Sequence, residues 1–117
     1  MRWTLLLLAL AACDTASDAA QSGTSPDFGD AYAIVDSVVL EGDDLEASVR
    51  YSGGCQDHDF EAASRPADGF TEIWFTHDAN DDLCEALVTS TARATLAGLE
   101  GAVVLLAPDG ERIPVRD

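Results

Sequence analysis

The sequence predicts an all-β domain, an antiparallel β-sandwich of about seven strands held by one disulfide bond. The first observation is a series of short apolar runs from residue 31 onward, separated by turn residues. The second is a strict alternation of apolar and polar residues over positions 45–51, which is typical of a half-buried strand. The third is the pair Cys55 and Cys84 in a chain that begins like an exported protein. A chain of 117 residues holds at most one such domain.

The predicted strands follow one another at short, regular intervals. The apolar or alternating segments, in chain order, are 31–40, 45–51, 57–62, 70–77, 84–96, 102–107 and a last strand at Ile113 and Val115. The predicted turns and breaks between them are 41–44, Gly53–Gly54, 65–69, 78–82 and 108–110. Strands with turn signals at this spacing are typical of a sandwich of general immunoglobulin-like (Ig-like) form.

One of these segments also has a competing interpretation. Residues 84–99 contain four Ala, three Leu, one Glu and one Arg, and residues of these types favour a helix. The same segment contains Val88, Thr95 and the run Thr-Ser-Thr at 89–91, and β-branched residues favour a strand. We therefore predict one long strand or two shorter ones here.

Residues 1–12 have the pattern of an export signal. Arg2 and the amino terminus are positive, and the apolar run 3–10 is shorter than the roughly 20 residues that span a bilayer. The run ends in Leu-Ala-Ala-Cys at 10–13, which resembles the lipobox of bacterial lipoproteins. The resemblance implies that Cys13 is lipidated and becomes the first mature residue. The other interpretation is an ordinary cysteine after an ordinary signal.

The sequence therefore divides into three segments: a lipoprotein signal at 1–12, the lipidated cysteine with a flexible tether at 13–30, and the sandwich at 31–117. The tether is rich in small and polar residues and has no apolar periodicity. We expect the N-terminal lipid to hold the protein on the extracytoplasmic face of the bacterial cell membrane or outer membrane. Asp14 resembles an inner-membrane retention signal of enteric bacteria, and the choice of membrane stays open.

The charge of the chain excludes one class of partner. Six basic residues, all arginine, stand against 22 acidic ones, a formal net charge of −16. Such a surface repels nucleic acid, and its simplest role is to keep a small exported protein soluble. We expect no nucleic-acid partner and no cofactor, which leaves the membrane and an envelope protein as partners.

Cys55 and Cys84 are predicted to form a disulfide bond. An exported chain enters an oxidising compartment, and with Cys13 consumed by lipid only one pairing is left. Closing a loop of about 30 residues stabilises a domain by roughly 3.5 kcal/mol in the chain-entropy model. A bond of this size matters for a small domain with few large apolar residues.

Metal binding is the alternative interpretation of the same region. The spacings Cys55-x2-His58 and His77-x6-Cys84 bring together two sulfurs and two nitrogens, and only the first spacing is typical of zinc. With the disulfide formed, His58 and His77 with nearby carboxylates are candidates for weak zinc or copper binding. The simpler interpretation of both histidines is hydrogen bonding within the fold.

The acidic turn is a candidate for weak calcium binding. Asp78, Asn80 and Asp82 match the first three ligand positions of a calcium loop. Leu83 then occupies the glycine position, and Thr89 the position of the bidentate glutamate. The simpler interpretation is a solvated loop whose Asp and Asn side chains cap their own backbone.

The sequence contains no catalytic motif, so we expect no enzyme. It does contain two elements, Gly-Gly-Cys-x-x-His-x-Phe at 53–60 and His-Asp-x-Asn-x-Asp-x-Cys-Glu-Ala at 77–86. These elements resemble a group of small, mostly uncharacterised bacterial lipoproteins. The resemblance implies a β-sandwich and a lipid anchor, and it carries no activity. The expected function is a lipid-anchored, non-catalytic binding or structural module of the cell envelope, with weak metal binding as the alternative.

Overall fold

The computed structural model describes residues 26–117, and the regular structure of this part is all β. Seven strands form two sheets, one in the order β1-β2-β5 and the other in the order β3-β4-β6-β7. The strands are β1 Ala33–Glu41, β2 Asp44–Gly53, β3 Asp59–Ala67, β4 Phe70–Asp78, β5 Ala86–Thr95, β6 Val103–Leu106 and β7 Arg112–Arg116. The predicted sandwich and its number of strands are confirmed.

Strand β2 shows how the sequence pattern becomes structure. Leu45, Ala47 and Val49 are fully buried, while the intervening Glu46 is exposed, as expected for side chains that alternate between two faces. The strand lies at the centre of its sheet and pairs antiparallel with β1 on one side and β5 on the other. Its apolar face therefore covers the opposing sheet.

The opposing sheet supplies the other half of the core from β4 and β6. Ile73 and Phe75 of β4 point inward, and Val103 and Leu105 of β6 lie beside them. Tyr32, which precedes β1, closes one end of this core. Two apolar faces pressed together in this way remove both from water, which is the main favourable contribution to folding.

One strand pair departs from the antiparallel pattern that the sequence predicts. β4 and β6 run parallel, with Thr71 opposite Val103 and Ile73 opposite Leu105. Parallel neighbours need a long crossover connection. Here β5, in the other sheet, is part of that connection.

The turn predicted at 65–69 is mostly strand, and this prediction was wrong. β3 continues through Pro66 to Ala67, and only the two residues before β4 form the turn. Proline is compatible with a strand here because β3 is the edge of its sheet, where a missing N–H breaks no ladder bond. Gly69 adopts a positive φ of 89°, which makes the tight reversal possible.

The segment with the competing helical interpretation forms one strand. β5 pairs with β2 over ten consecutive residues, from Asp44 opposite Thr95 to Gly53 opposite Ala86. The buried Ala92 sits on its inward face. Pairing with a central strand satisfies the backbone of β5, and this outweighs the helical preference of its alanines.

The packed part of the chain begins before residue 31, where the sequence placed the end of the tether. The carbonyl of Phe28 accepts a hydrogen bond from the His77 N–H, and the Asp30 N–H donates to the His77 carbonyl. Gly29 lies against His77 so closely that a Cβ would be 2.2 Å from its carbonyl oxygen. These residues therefore belong to the folded domain.

The predicted signal, Cys13 and the tether as far as residue 25 lie outside the described residues. Within residues 26–117, no helix has the length and apolar character needed to cross a bilayer.

Replacing a buried leucine tests this account of the core. We expect Leu45→Ala to lower the free energy of unfolding by about 2–5 kcal/mol, because it leaves a cavity between the sheets. The matched control is Leu83→Ala at a side chain that is 90% exposed, with an expected change within about 0.5 kcal/mol. Urea denaturation of both variants measures the difference, and equal effects would contradict the assignment of Leu45 to the core.

Candidate functional site

The predicted disulfide bond is present and joins the end of β2 to the start of β5. Cys55 and Cys84 are bonded, and their Cα atoms are 5.8 Å apart. Cys55 follows the glycine pair that ends β2, and Cys84 lies two residues before β5. The bond holds the segment after β2 next to the loop before β5. The candidate residues in these two segments therefore lie at one end of the sandwich.

The two histidines of the chain contact each other directly. His58, just before β3, lies with its Nδ1 atom 2.8 Å from Nε2 of His77, near the end of β4. The pairing of β3 with β4 sets this position, since Phe60 stands opposite His77 in the register. His77 is only 2% exposed, and its Nδ1 atom lies 3.1 Å from the Asp30 carbonyl oxygen.

Asp82 completes this group. Its Oδ2 atom lies 2.8 Å from Nε2 of His58, and both side chains are 0% exposed. Oδ1 accepts the N–H of Cys84 at 3.0 Å. Oδ2 also accepts three backbone N–H groups, those of Gly54, Cys55 and Gln56 at 2.9, 3.1 and 3.1 Å. We call His58, His77 and Asp82 the buried His-His-Asp cluster.

The contacts of Asp82 favour its charged form. The hydrogen bond from His58 contributes most and, with backbone N–H donors that include Cys84, holds the pKa of Asp82 well below its ordinary value. Burial acts in the opposite direction and is outweighed. Asp82 is therefore a carboxylate in the folded protein.

Hydrogen-bond partners determine how many hydrogens the two rings carry. The Asp30 carbonyl only accepts, so Nδ1 of His77 carries a hydrogen. The Asp82 carboxylate also accepts, so Nε2 of His58 carries one. The remaining nitrogens, Nδ1 of His58 and Nε2 of His77, face each other, so every ring nitrogen of the pair has a hydrogen-bond partner.

Aromatic side chains enclose the cluster. Tyr51 stacks on His58 with 4.2 Å between ring centroids, and Phe60 stacks on His77 at 4.3 Å. Tyr32 contacts His77 edge-on at 5.7 Å. The Tyr32 hydroxyl donates to a β4 carbonyl, and burial raises the pKa of Tyr32 to about 12. These rings exclude water from the cluster and strengthen its charged hydrogen bonds.

Gly53 makes room for the contact between His58 and Asp82. A Cβ at this position would lie 2.7 Å from Oδ2 of Asp82 and 2.7 Å from Nε2 of His58. A side chain in that space would force the Asp82 carboxylate or the His58 ring to shift, which favours glycine at the end of β2. The sequence placed a strand break here, but the close approach is the reason for the residue. A glycine within a strand pattern is the signal that points to such an approach.

The candidate metal ligands do not come together as one set. His58, His77 and Asp82 meet, but each ring nitrogen has a hydrogen-bond partner within the fold. Asp78 accepts the backbone N–H of Asn80, as the simpler loop interpretation expects. The Asn80 amide donates to the Asp57 carbonyl and to the Asp59 carboxylate, and neither bond involves Asp82.

The sulfurs lie near Asp82, but they are not free ligands. Ligand atoms of Cys55, Asp82 and Cys84 lie within 4.8 Å of one another, which is a spacing that a metal ion could use. The two sulfurs form a disulfide bond with each other, whereas a metal ion binds cysteine as the free thiolate. In the disulfide form, this group stabilises the loop and offers no sulfur ligand.

A second buried polar group lies on the outer side of β4, and the sequence analysis did not identify it. Glu72 is 4% exposed and accepts hydrogen bonds from Arg65, at 2.6 Å, and from Arg112. Burial by itself would raise the pKa of Glu72, but the two arginines outweigh it and the pKa is lowered. The cross-strand pairing of Arg65 with Glu72 produces this contact, and strand register is not visible in the sequence.

An open cleft of about 550 Å³ lies beside the buried cluster. It is lined by Tyr51, Gly54, Cys55, Gln56, Asp57, His58, Val88 and Ser90. The ring of His58 does not reach solvent, so the cleft has access to the stacked Tyr51 but not to the ring nitrogens of His58. Those nitrogens are therefore suited to holding the loops in place.

Comparison with protein-family models, with curated proteins and with solved structures finds no match to this chain. The interpretation of the site therefore depends on its geometry.

Removing the charge of Asp82 should change how stability depends on pH. Because the folded-state pKa of Asp82 is lowered, its charge stabilises the fold above its unfolded pKa of about 3.9 and loses this effect as the pH falls below that value. We expect Asp82→Asn to unfold at a lower urea concentration near neutral pH. We also expect its free energy of unfolding to fall less than that of the wild type as the pH is lowered into the acid range. The control is Asp81→Asn at the exposed neighbouring residue. Identical pH profiles for the two variants would contradict this role.

Adding a methyl group at Gly53 should force the His58–Asp82 contact apart. We expect Gly53→Ala to destabilise the domain by about 1–3 kcal/mol, the range typical of overpacking. Ser52→Ala, at the exposed preceding residue, is the control and should change stability little. Denaturation midpoints measure both effects, and a stable Gly53→Ala variant would show that the approach is less close than 2.7 Å.

Proposed function

We propose that this protein is a lipid-anchored cell-envelope protein whose domain is a non-catalytic binding or structural module. The observation that carries the non-catalytic part is the complete burial of the His58 and Asp82 side chains. An acid-base group must reach its substrate within hydrogen-bond distance. The only two histidines of the chain are instead hydrogen-bonded to each other, and this supports a role in stabilising the fold.

The contacts of the buried His-His-Asp cluster show which segments of the chain it holds together. The segment after β2, the end of β4 and the loop before β5 all meet at Asp82 and its partners. The disulfide bond ties two of the same segments covalently. A domain with a small core gains much from such a link, and a rigid end of the sandwich is suited to presenting a surface to a partner.

The anchoring part of the proposal depends on residues 10–13, whose Leu-Ala-Ala-Cys sequence resembles a lipobox. Two or more acyl chains on Cys13 would hold the domain stably at the membrane, whereas one chain gives marginal binding. The net charge of −16 is compatible with this arrangement, because repulsion from anionic head groups keeps the domain away from the lipid surface.

Weak metal binding is the competing function, and calorimetry separates the two. Titrating the purified full chain with calcium, zinc and copper, in the disulfide form, should show no binding tighter than about 10⁻⁴ M. Tighter binding that is lost in His58→Gln and retained in Asp81→Asn would favour the metal alternative over the proposed module.

Replacing Cys13 tests the anchor. We expect Cys13→Ser to accumulate as an unprocessed precursor without lipid, because serine lacks the thiol that accepts the acyl group. The wild-type chain should incorporate labelled palmitate and partition into detergent, and globomycin should block its processing. Thr15→Ala, two residues further on, is the matched control and should mature normally. Normal processing and membrane attachment of Cys13→Ser would overturn the proposed anchor.

A further inference from the structure

Each of the two sheets has two edge strands, and three of these four edges carry features that discourage pairing with another chain. The register of β1 breaks between Ile34 and Val38, where Asp36 has a positive φ of 59°. β3 contains Pro66, and the short β7 contains Pro114. Bulges, prolines and short strands are the devices by which natural sheets keep their edges from joining other sheets.

The fourth edge, β5, has none of these features. Its ten residues pair with β2 in unbroken register, and the strand contains no proline. It includes Val88, Thr89 and Thr91, which have high β propensity. A long, regular edge strand presents a row of N–H and C=O groups that can accept another strand.

The free edge of β5 is accessible in the structure. Within residues 26–117, β2 is the only strand that is hydrogen-bonded to β5, so the other side of β5 has no hydrogen-bonded strand partner in this part of the chain. Leu87, on the outward face, is 71% exposed, and Ser90 is exposed although it lies on the inward face. The cleft beside the buried cluster opens along the first half of the strand, where Val88 and Ser90 line it.

The charges of β5 differ from those of the rest of the molecule. The chain has 22 acidic residues, but β5 contains no carboxylate and its single charge is Arg93. Arg93 is paired with Glu46 of β2 at 3.2 Å. Two copies of a strongly acidic protein repel each other over most of their surface, and β5 is an edge where they can meet without opposing carboxylates.

We propose that β5 is a self-association edge, where a second copy of this chain pairs antiparallel about a two-fold axis at Ser90. In this arrangement Ser90 opposes Ser90 of the other copy, Thr89 opposes Thr91, and Leu87 opposes Arg93. No like charges face each other, and the exposed Leu87 packs on the aliphatic part of the partner's Arg93. The two three-stranded sheets become one sheet of six strands, β1-β2-β5-β5-β2-β1.

Cysteine cross-linking of the full chain in detergent micelles tests the pairing. Residues opposite each other in an antiparallel pair have Cα atoms about 4.5–5.5 Å apart, within disulfide reach. We expect Ser90→Cys to form at least about tenfold more covalent dimer on oxidation than the control Ser52→Cys, because pairing raises its effective concentration. Ser52 is also exposed but lies on β2, away from the proposed edge.

Proline variants test whether the backbone edge carries the association. Neighbouring N–H groups in a strand point in opposite directions, so one of Thr89 and Ser90 directs its N–H to β2 and the other to the free edge. We expect one of Thr89→Pro and Ser90→Pro to stay folded by circular dichroism and sediment as a monomer, while the wild type sediments as a dimer. A monomeric wild-type chain, or equal cross-linking of Ser90→Cys and Ser52→Cys, would overturn the proposal.

Discussion

The contact between His58 and Asp82 is the interaction on which this end of the molecule depends. A carboxylate with both oxygens hydrogen-bonded to backbone N–H groups and an imidazole fixes the segment after β2 and the loop before β5 in one arrangement. His77 extends the same network into β4 and, through Asp30, to the residues before β1. Because the Asp82 side chain is buried, its charge depends on these hydrogen bonds. Removal of His58 would leave the carboxylate without the partner that contributes most to its lowered pKa.

The disulfide bond and the buried cluster support the same region by different means. Cys55 and Cys84 restrict the unfolded chain, whereas the cluster stabilises the folded one. Within residues 26–117, the apolar core between the sheets contains few large side chains, and Phe75 is the largest one that is fully buried. A small core, one covalent link and one charged network together hold a domain that would otherwise have little apolar area to bury.

The proposed role is a module that presents a surface. The His58 and Asp82 side chains are sealed inside, whereas the cleft and the edge of β5 beside it are accessible. With the proposed lipid anchor, the chain would be confined to a membrane surface. Confinement raises the effective concentration of one copy for another, so a modest interaction along a strand edge would be enough to form pairs.

The sequence by itself determined the features that depend on local pattern. Alternation over 45–51 predicted β2, the short apolar runs predicted the sandwich, and counting cysteines in a chain with the pattern of an export signal predicted the Cys55–Cys84 bond. Only the tertiary structure shows that Asp82, one of 22 acidic residues, is the partner of His58. It also shows that Gly53 makes room for this contact. It also decided the parallel pair of β4 and β6. The physical reason is that side-chain alternation is set between adjacent residues, whereas these contacts depend on strand register across 20 residues or more, which no local pattern specifies.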